Sequence, residues 1–197
     1  MNKRMSYNIA GVIWVAIFIW LDQWTKALAV NNLKNQASID IIPGVFQLHY
    51  LENRGAAFGM FQGQKWAFIV MTVVILVGVM FLYNRIPLEK RFHPLRLIGV
   101  ALSAGAIGNL IDRMVNGYVV DFLYVELIDF PIFNVADCYV TVSAFVLVIL
   151  FLFYYKEEDL EFITFHRKKK AETATVNVSE ETVKGAVEQE KKPEEEA

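Results

Sequence analysis

The sequence predicts a membrane α-helical protein: a four-transmembrane-helix bundle with a small extracytoplasmic β-cradle and a disordered, charged C-terminal tail. Three observations predict it. Apolar residues make up 55% of the 197-residue chain, they gather into four long runs with few charges, and the stretch from about Ala171 onward has no aromatic residue and many Glu and Lys. Runs of roughly 17 to 25 apolar residues are what a helix needs to cross hydrocarbon. A segment so poor in apolar surface cannot offset the entropy of ordering. The expected division is a four-span membrane domain at 1–155 and a largely disordered charged cytoplasmic tail at 156–197.

The first span is expected at 9–30. It is long for a cleaved leader, lacks a small-x-small cleavage pattern, and carries Asp22 and Lys26 in its second half, so it reads as a retained helix. The others are expected at 66–83, 95–111 and 135–155. Basic residues near span ends tend to stay cytoplasmic. Lys3 and Arg4 precede the first span, Arg85, Lys90, Arg91 and Arg96 surround the connection between the second and third, and Lys156 and Arg167 to Lys170 follow the fourth. Both termini are therefore expected inside, with 31–65 and 112–134 facing out. The run Arg167 to Lys170 reads as a solvated stop-transfer flank or as a contact with anionic headgroups. A net charge of −2 gives no sign of a nucleic-acid partner.

Between spans one and two, Ile39, Ile41, Ile42, Val45, Phe46, Leu48, Tyr50 and Leu51 lie on either side of a Pro43-Gly44 turn, which predicts a short β-element. Tyr118-Val119-Val120 and Phe122 to Val125 are strand-like too, so the two connections are expected to form one sheet. In the third span, Ala101, Ala104, Gly105 and Gly108 would let a neighbouring helix approach closely.

Polar residues beside these spans need a reason, because ionisable groups in or near hydrocarbon are expensive. Asp121 and Asp137 stand out: each borders an apolar stretch, and only residues 122–136 separate them. Two carboxylates that share a site split their titration, so one holds a proton while the other is ionised. That pair suits an aspartyl peptidase, in which one carboxylate takes a proton from water and the other polarises the scissile carbonyl. No metal or cofactor is required. Asn109, Asn134 and Arg113 are candidates to satisfy the carboxylates, and Asn53 can offer an amide to substrate. Asp112 and Arg113 could equally form an interfacial ion pair, with Asn109 bonding between helices.

Other chemistries are weighed on the same residues. A proton path through Asp22, Asp112, Asp121 and Asp137 would fit a transporter or small channel, but four spans without inverted repeats argue against it. A serine protease would want a nucleophile elbow and a His base; Ser103 lacks the preceding glycine pattern and none of His49, His93 and His166 lies in a span. A zinc protease would want His-Glu-x-x-His, which the sequence lacks. The single Cys138 cannot form an intrachain disulfide and reads as a small packing residue. A scaffold without chemistry is the remaining alternative.

Five ordered blocks carry a family resemblance: Asp22-Gln23-Trp24-Thr25-Lys26, Asn53-Arg54-Gly55-Ala56-Ala57-Phe58-Gly59, Gly105 through Arg113, Val120-Asp121-Phe122 and Phe133-Asn134-Val135-Ala136-Asp137. Over roughly 9–155 the chain resembles the bacterial lipoprotein signal peptidases, also called signal peptidase II. The resemblance implies a multi-pass enzyme of the bacterial cell membrane, active near its outer face. Such an enzyme removes signal peptides from diacylglyceryl-modified prolipoproteins, cutting just before the lipidated cysteine, and is inhibited by globomycin. It further implies Asp121 and Asp137 as the catalytic pair, Asn53, Gly55, Asn109, Arg113 and Asn134 as residues that bind or orient substrate, and Asp22, Lys26, Asp112 and Ala136 as supporting residues. The implied partners are prolipoproteins and membrane lipids, and no cofactor is implied; nothing in the sequence demands more than a monomer. Ala104, Gly59 and Cys138 depart from the family's usual residues without touching the expected chemistry. Lateral access for substrate is expected, with 53–59 and 113–134 moving as lids.

Overall fold

The computed structural model describes residues 2–55 and 64–163. Its helices are α1 (Lys3–Leu33), α2 (Lys65–Arg85), α3 (His93–Val115) and α4 (Val135–Phe153), and its strands are β1 (Ile39–Ile42), β2 (Phe46–Asn53) and β3 (Val119–Tyr124). By contacts the chain divides into two units, 1–156 and 157–197. The second contributes a short 3-10 turn, Glu157–Leu160, and its residues 164–197 lie outside the described residues, as does the expected disorder of the tail. The same holds for 56–59 of the expected lid and for the Arg167 to Lys170 cluster.

All four helices are long and apolar enough to cross a membrane, and their outer faces show that lipid is the solvent. Val70, Phe145 and Phe153 are 62%, 68% and 82% exposed, a burden that water would not tolerate over whole helix faces. The helices run beyond the apolar stretches read from sequence, because a helix continues until a cap stops it. At the start of α1, Asn2 accepts from the Arg4 backbone N–H at 3.2 Å. With 31 residues, α1 is about 46 Å long and outreaches the roughly 30 Å hydrocarbon core. At the other extreme, α4 stops at Phe153, short of the expected 155.

The bundle is organised around α3, which packs against α1, α2 and α4. Small residues permit this. A Cβ on Gly105 would sit 2.6 Å from the Ala136 carbonyl oxygen, and one on Gly108 would sit 2.5 Å from Asp22 Oδ2. Both positions therefore need glycine for close approach.

The sheet is antiparallel in the order β1-β2-β3, and it joins the two outer connections as the sequence predicts. Pro43-Gly44 makes the β1–β2 turn, closed by Val45 N–H to Ile42 O at 2.9 Å, with Gly44 at φ 71°. β3 is buried on both faces over Val119–Phe122. Because side chains alternate along a strand, Val120 and Phe122 enter an apolar cluster with Ala29 and Leu33 of α1, while Val119 and Asp121 line the opposite side, a cleft between the helices.

Candidate active site

That cleft has a volume of about 590 Å³. Its polar end carries Asn53, Asn109, Arg113, Asp121 and Asp137, and its apolar end is made of side chains such as Phe68, Met71 and Val140. β3 delivers Asp121 and the first turn of α4 delivers Asp137.

Each carboxylate oxygen of the pair accepts one N–H. Asp121 Oδ1 accepts from Asn134 Nδ2 at 2.6 Å and Oδ2 from Asn53 Nδ2 at 2.8 Å. Asp137 Oδ1 accepts from Asn109 Nδ2 at 2.8 Å and Oδ2 from the Asn134 backbone N–H at 3.1 Å. Asn134 thus touches both acids, and as N-cap of α4 its side chain also accepts from Asp137 N–H at 3.0 Å, completing a capping box. The Asn134 side chain is fully buried.

Asp121 is 1% exposed. Burial, with the nearby Asp137 charge adding to it, pushes its carboxyl up to about 7, against the amide donors of Asn53 and Asn134, which favour the ionised form.

Behind the pair lies a buried ionic cluster. Lys26 Nζ contacts Asp22 Oδ2 at 2.9 Å and Asp112 Oδ2 at 3.1 Å, and it donates to Asn109 Oδ1 at 2.8 Å. That last bond fixes which way the Asn109 amide points: its oxygen faces Lys26 and Asn134, its nitrogen faces Asp137. The cluster also ties elements together, since Asp22 Oδ1 accepts from Ala136 N–H at 2.9 Å and Asp112 Oδ2 from Val120 N–H at 3.1 Å. First turn of α4 and strand β3 are thereby pinned to α1 and α3. Ala136 is fully buried and acts through its backbone.

Arg113 does not reach the carboxylates. Its guanidinium donates to the Gly55 carbonyl at 3.4 Å and the Asn109 carbonyl at 3.3 Å, and lies 4.7 Å from the centre of the Phe68 ring. Nor does it pair with Asp112, whose cation is Lys26. Gly55 in turn donates its N–H to Asn53 Oδ1 at 3.0 Å, orienting the amide that binds Asp121. Two contributors escape sequence reasoning. Gln23 Nε2 lies 3.1 Å from Asp22 Oδ2, 3.2 Å from Gly108 O and 3.2 Å from Asp112 Oδ1; its place beside Asp22 was the available signal. Phe68 had none, being one aromatic in an apolar helix. Among the described residues no group of His, Cys, Asp and Glu is arranged to hold a metal ion. Cys138 also lines the cleft.

A lipid-facing bundle that holds a polar, carboxylate-lined cleft beside its spans defines a multi-pass membrane enzyme. The profile described as Signal peptidase (SPase) II matches residues 14–153, and the chain belongs to that family of bacterial membrane peptidases. A lipoprotein signal peptidase of Streptococcus thermophilus is 41% identical over 152 residues, covering 77% of this chain and 96% of the relative. Another, from Caldanaerobacter subterraneus subsp. tengcongensis, is 45% identical over 144 residues, covering 73% and 96%. A bacterial membrane enzyme solved by the in meso method at 2.3 Å matches with a TM-score of 0.63 and 26% identity, over 81% of this chain and 94% of its own.

Proposed function

We propose that this chain is an intramembrane aspartyl endopeptidase that removes signal peptides from diacylglyceryl-modified prolipoproteins, cutting on the N-terminal side of the lipidated cysteine. Asp121 and Asp137 are the catalytic pair. The observation that carries this reading is the single Asn134 side chain and backbone bonded to both acids at one end of a mostly apolar cleft. Family membership supports the substrate class.

The pair shares one proton, and Asp121, whose carboxyl burial pushes up to about 7, is the partner that holds it. Asp137, at the N-terminus of α4 with a backbone N–H on Oδ2, is the carboxylate. Asp137 takes a proton from water as the water oxygen bonds to the scissile carbonyl carbon, and the Asp121 O–H donates to the developing oxyanion. Collapse of the tetrahedral intermediate breaks the C–N bond, and the proton on Asp137 passes to the leaving amine. Asn53, Asn109 and Asn134 hold the acids in position, and Arg113 with Gly55 presents polar groups to the substrate backbone.

The active end faces outward and both termini lie in the cytoplasm, because Lys3, Arg4, Arg85, Lys90 and Arg91 cluster at the end of the bundle away from the sheet. The 156–197 segment then belongs to the cytoplasmic side. The substrate helix and its acyl chains reach the cleft laterally from lipid, past the 113–134 connection. Every residue invoked comes from one chain, so a monomer suffices.

Purified protein incubated with a diacylglyceryl-modified prolipoprotein, with and without globomycin, tests this. The expected products are the free signal peptide and a lipoprotein starting at the modified cysteine, lost with globomycin and unaffected by chelators. Asp121→Asn and Asp137→Asn are expected to insert and fold yet cleave nothing. Normal cleavage by either variant would overturn the assignment.

A further inference from the structure

A second groove, of about 430 Å³, lies between α1, α2 and α3. Its apolar walls are Val12 and Val15 of α1 and Leu76 and Met80 of α2, and its polar end is Asn8 and Asn84, joined by Asn8 Nδ2 to Asn84 Oδ1 at 3.0 Å. That end lies away from the sheet, where α1 begins and α2 finishes. From Asn84 back to Leu76 the groove follows α2 for about 12 Å, close to the depth of one leaflet in a roughly 30 Å hydrocarbon core.

The surroundings of the polar end select for charge. Lys3, Arg4, Arg85, Lys90, Arg91 and Arg96 lie in the flanking sequence against one acid, Glu89, and Arg4 donates to the Asn84 carbonyl. Arg96 is 5% exposed. Its guanidinium lies 4.8 Å from the centre of the Tyr7 ring and 5.2 Å from that of Tyr83, and Tyr83 is itself a wall of the groove. Nη2 donates to the Ile86 carbonyl at 2.7 Å, while Nε and Nη1 have no acceptor among the described residues. No ion pair of the described residues includes it. A buried cation without a counter-ion raises the local potential and favours an anion nearby. Asn8 Oδ1, enclosed and lacking a donor among the described residues, adds a call for a hydroxyl or N–H.

We propose that this groove binds an anionic glycerophospholipid of the leaflet at the N-terminal end of the bundle, with one acyl chain along Val12, Leu76 and Met80 and the phosphate beside Arg4. The helix of a second copy or a signal-peptide helix would fill the apolar walls but bring no anion to the cationic mouth. A phosphatidylglycerol headgroup supplies both the charge and hydroxyl donors. This site is separate from the carboxylate cleft, and its test does not depend on proteolysis.

The full chain in mild detergent is titrated with phosphatidylglycerol or phosphatidylcholine, and bound lipid is counted by native mass spectrometry. The wild type is expected to retain phosphatidylglycerol in preference to phosphatidylcholine. Val12→Trp and, separately, Met80→Trp fill the groove and are expected to abolish that retention. Arg4→Gln is expected to weaken it roughly fivefold, the worth of one cation near an anionic headgroup. Equal retention of the two lipids, undiminished retention by both tryptophan variants, or paired chains in place of bound lipid would overturn the proposal.

Discussion

Asn134 and Asp137 hold each other in a reciprocal ring: the Asn134 backbone N–H donates to Asp137 Oδ2 at 3.1 Å, and the Asp137 backbone N–H donates to Asn134 Oδ1 at 3.0 Å. The motif that starts α4 therefore also aims Asp137, and the Nδ2 of the same asparagine reaches Asp121 on β3.

Asn134→Ser separates the two jobs. Serine caps a helix about as well as asparagine but has no amide nitrogen for Asp121 or for Asn109 Oδ1, which it also contacts at 3.1 Å. Thermal melting in detergent should stay closer to wild type than in Asn134→Ala, where losing the cap costs about 1 kcal/mol. Cleavage should collapse in both. A serine variant with full activity would show that the bridging amide is dispensable.

The elevated Asp121 carboxyl, at about 7, sets a pH dependence with a definite sign. An unfolded aspartate titrates near 4, so between about 4 and 7 the folded chain binds the extra proton. Its contribution to stability is fully present below about 4 and is lost as pH rises through 7. Asp121→Asn should flatten that part of the stability profile. Under the proposed mechanism, in which Asp121 donates a proton, activity should fall on the alkaline side of about 7 in a pH–rate series.

Lys26→Met should be strongly destabilising, by roughly 3–5 kcal/mol, because it leaves Asp22 and Asp112 as buried charges without their cation. Adding Asp112→Asn should recover part of the loss. Denaturation midpoints of the single and double variants measure the coupling, and simple additivity would contradict the ionic account.

Gly105→Ala places a methyl 2.6 Å from the Ala136 carbonyl oxygen, so α4 must shift away from α3. A strain of roughly 1–3 kcal/mol is expected from such overpacking. The catalytic loss should be larger, on the order of 100-fold, since Asp137 rides on the displaced turn and misplacement of about 1 Å can have that effect. Single-turnover cleavage beside a melting curve separates the two.

The spans and the two-connection sheet were legible because each rests on local pattern: apolar runs, and apolar strand-like residues on either side of Pro43-Gly44. The convergence of Asp121 and Asp137 on one cleft was legible from the short connection between them. What escaped depends on how helices are rotated against one another. Sequence spacing left Arg113 free to meet Asp112 or the carboxylates, and the fold sends it to Gly55 and Phe68. In the same way, Lys26 reaches across 83 positions to set the Asn109 amide, and Arg96 closes between the Tyr7 and Tyr83 rings. Helix ends were missed by up to six residues at the start of α1, since caps rather than hydropathy end a helix.

The bond from Ala136 N–H to Asp22 Oδ1 spans 114 positions of the chain. During synthesis Lys26 of the same helix can already meet Asp22 Oδ2, but Asp22 Oδ1 has to wait for its α4 donor until the last helix is delivered. On the proposed assignment, a centre that draws one acid from β3 and the other from α4 is complete only once the fourth helix has joined the first three.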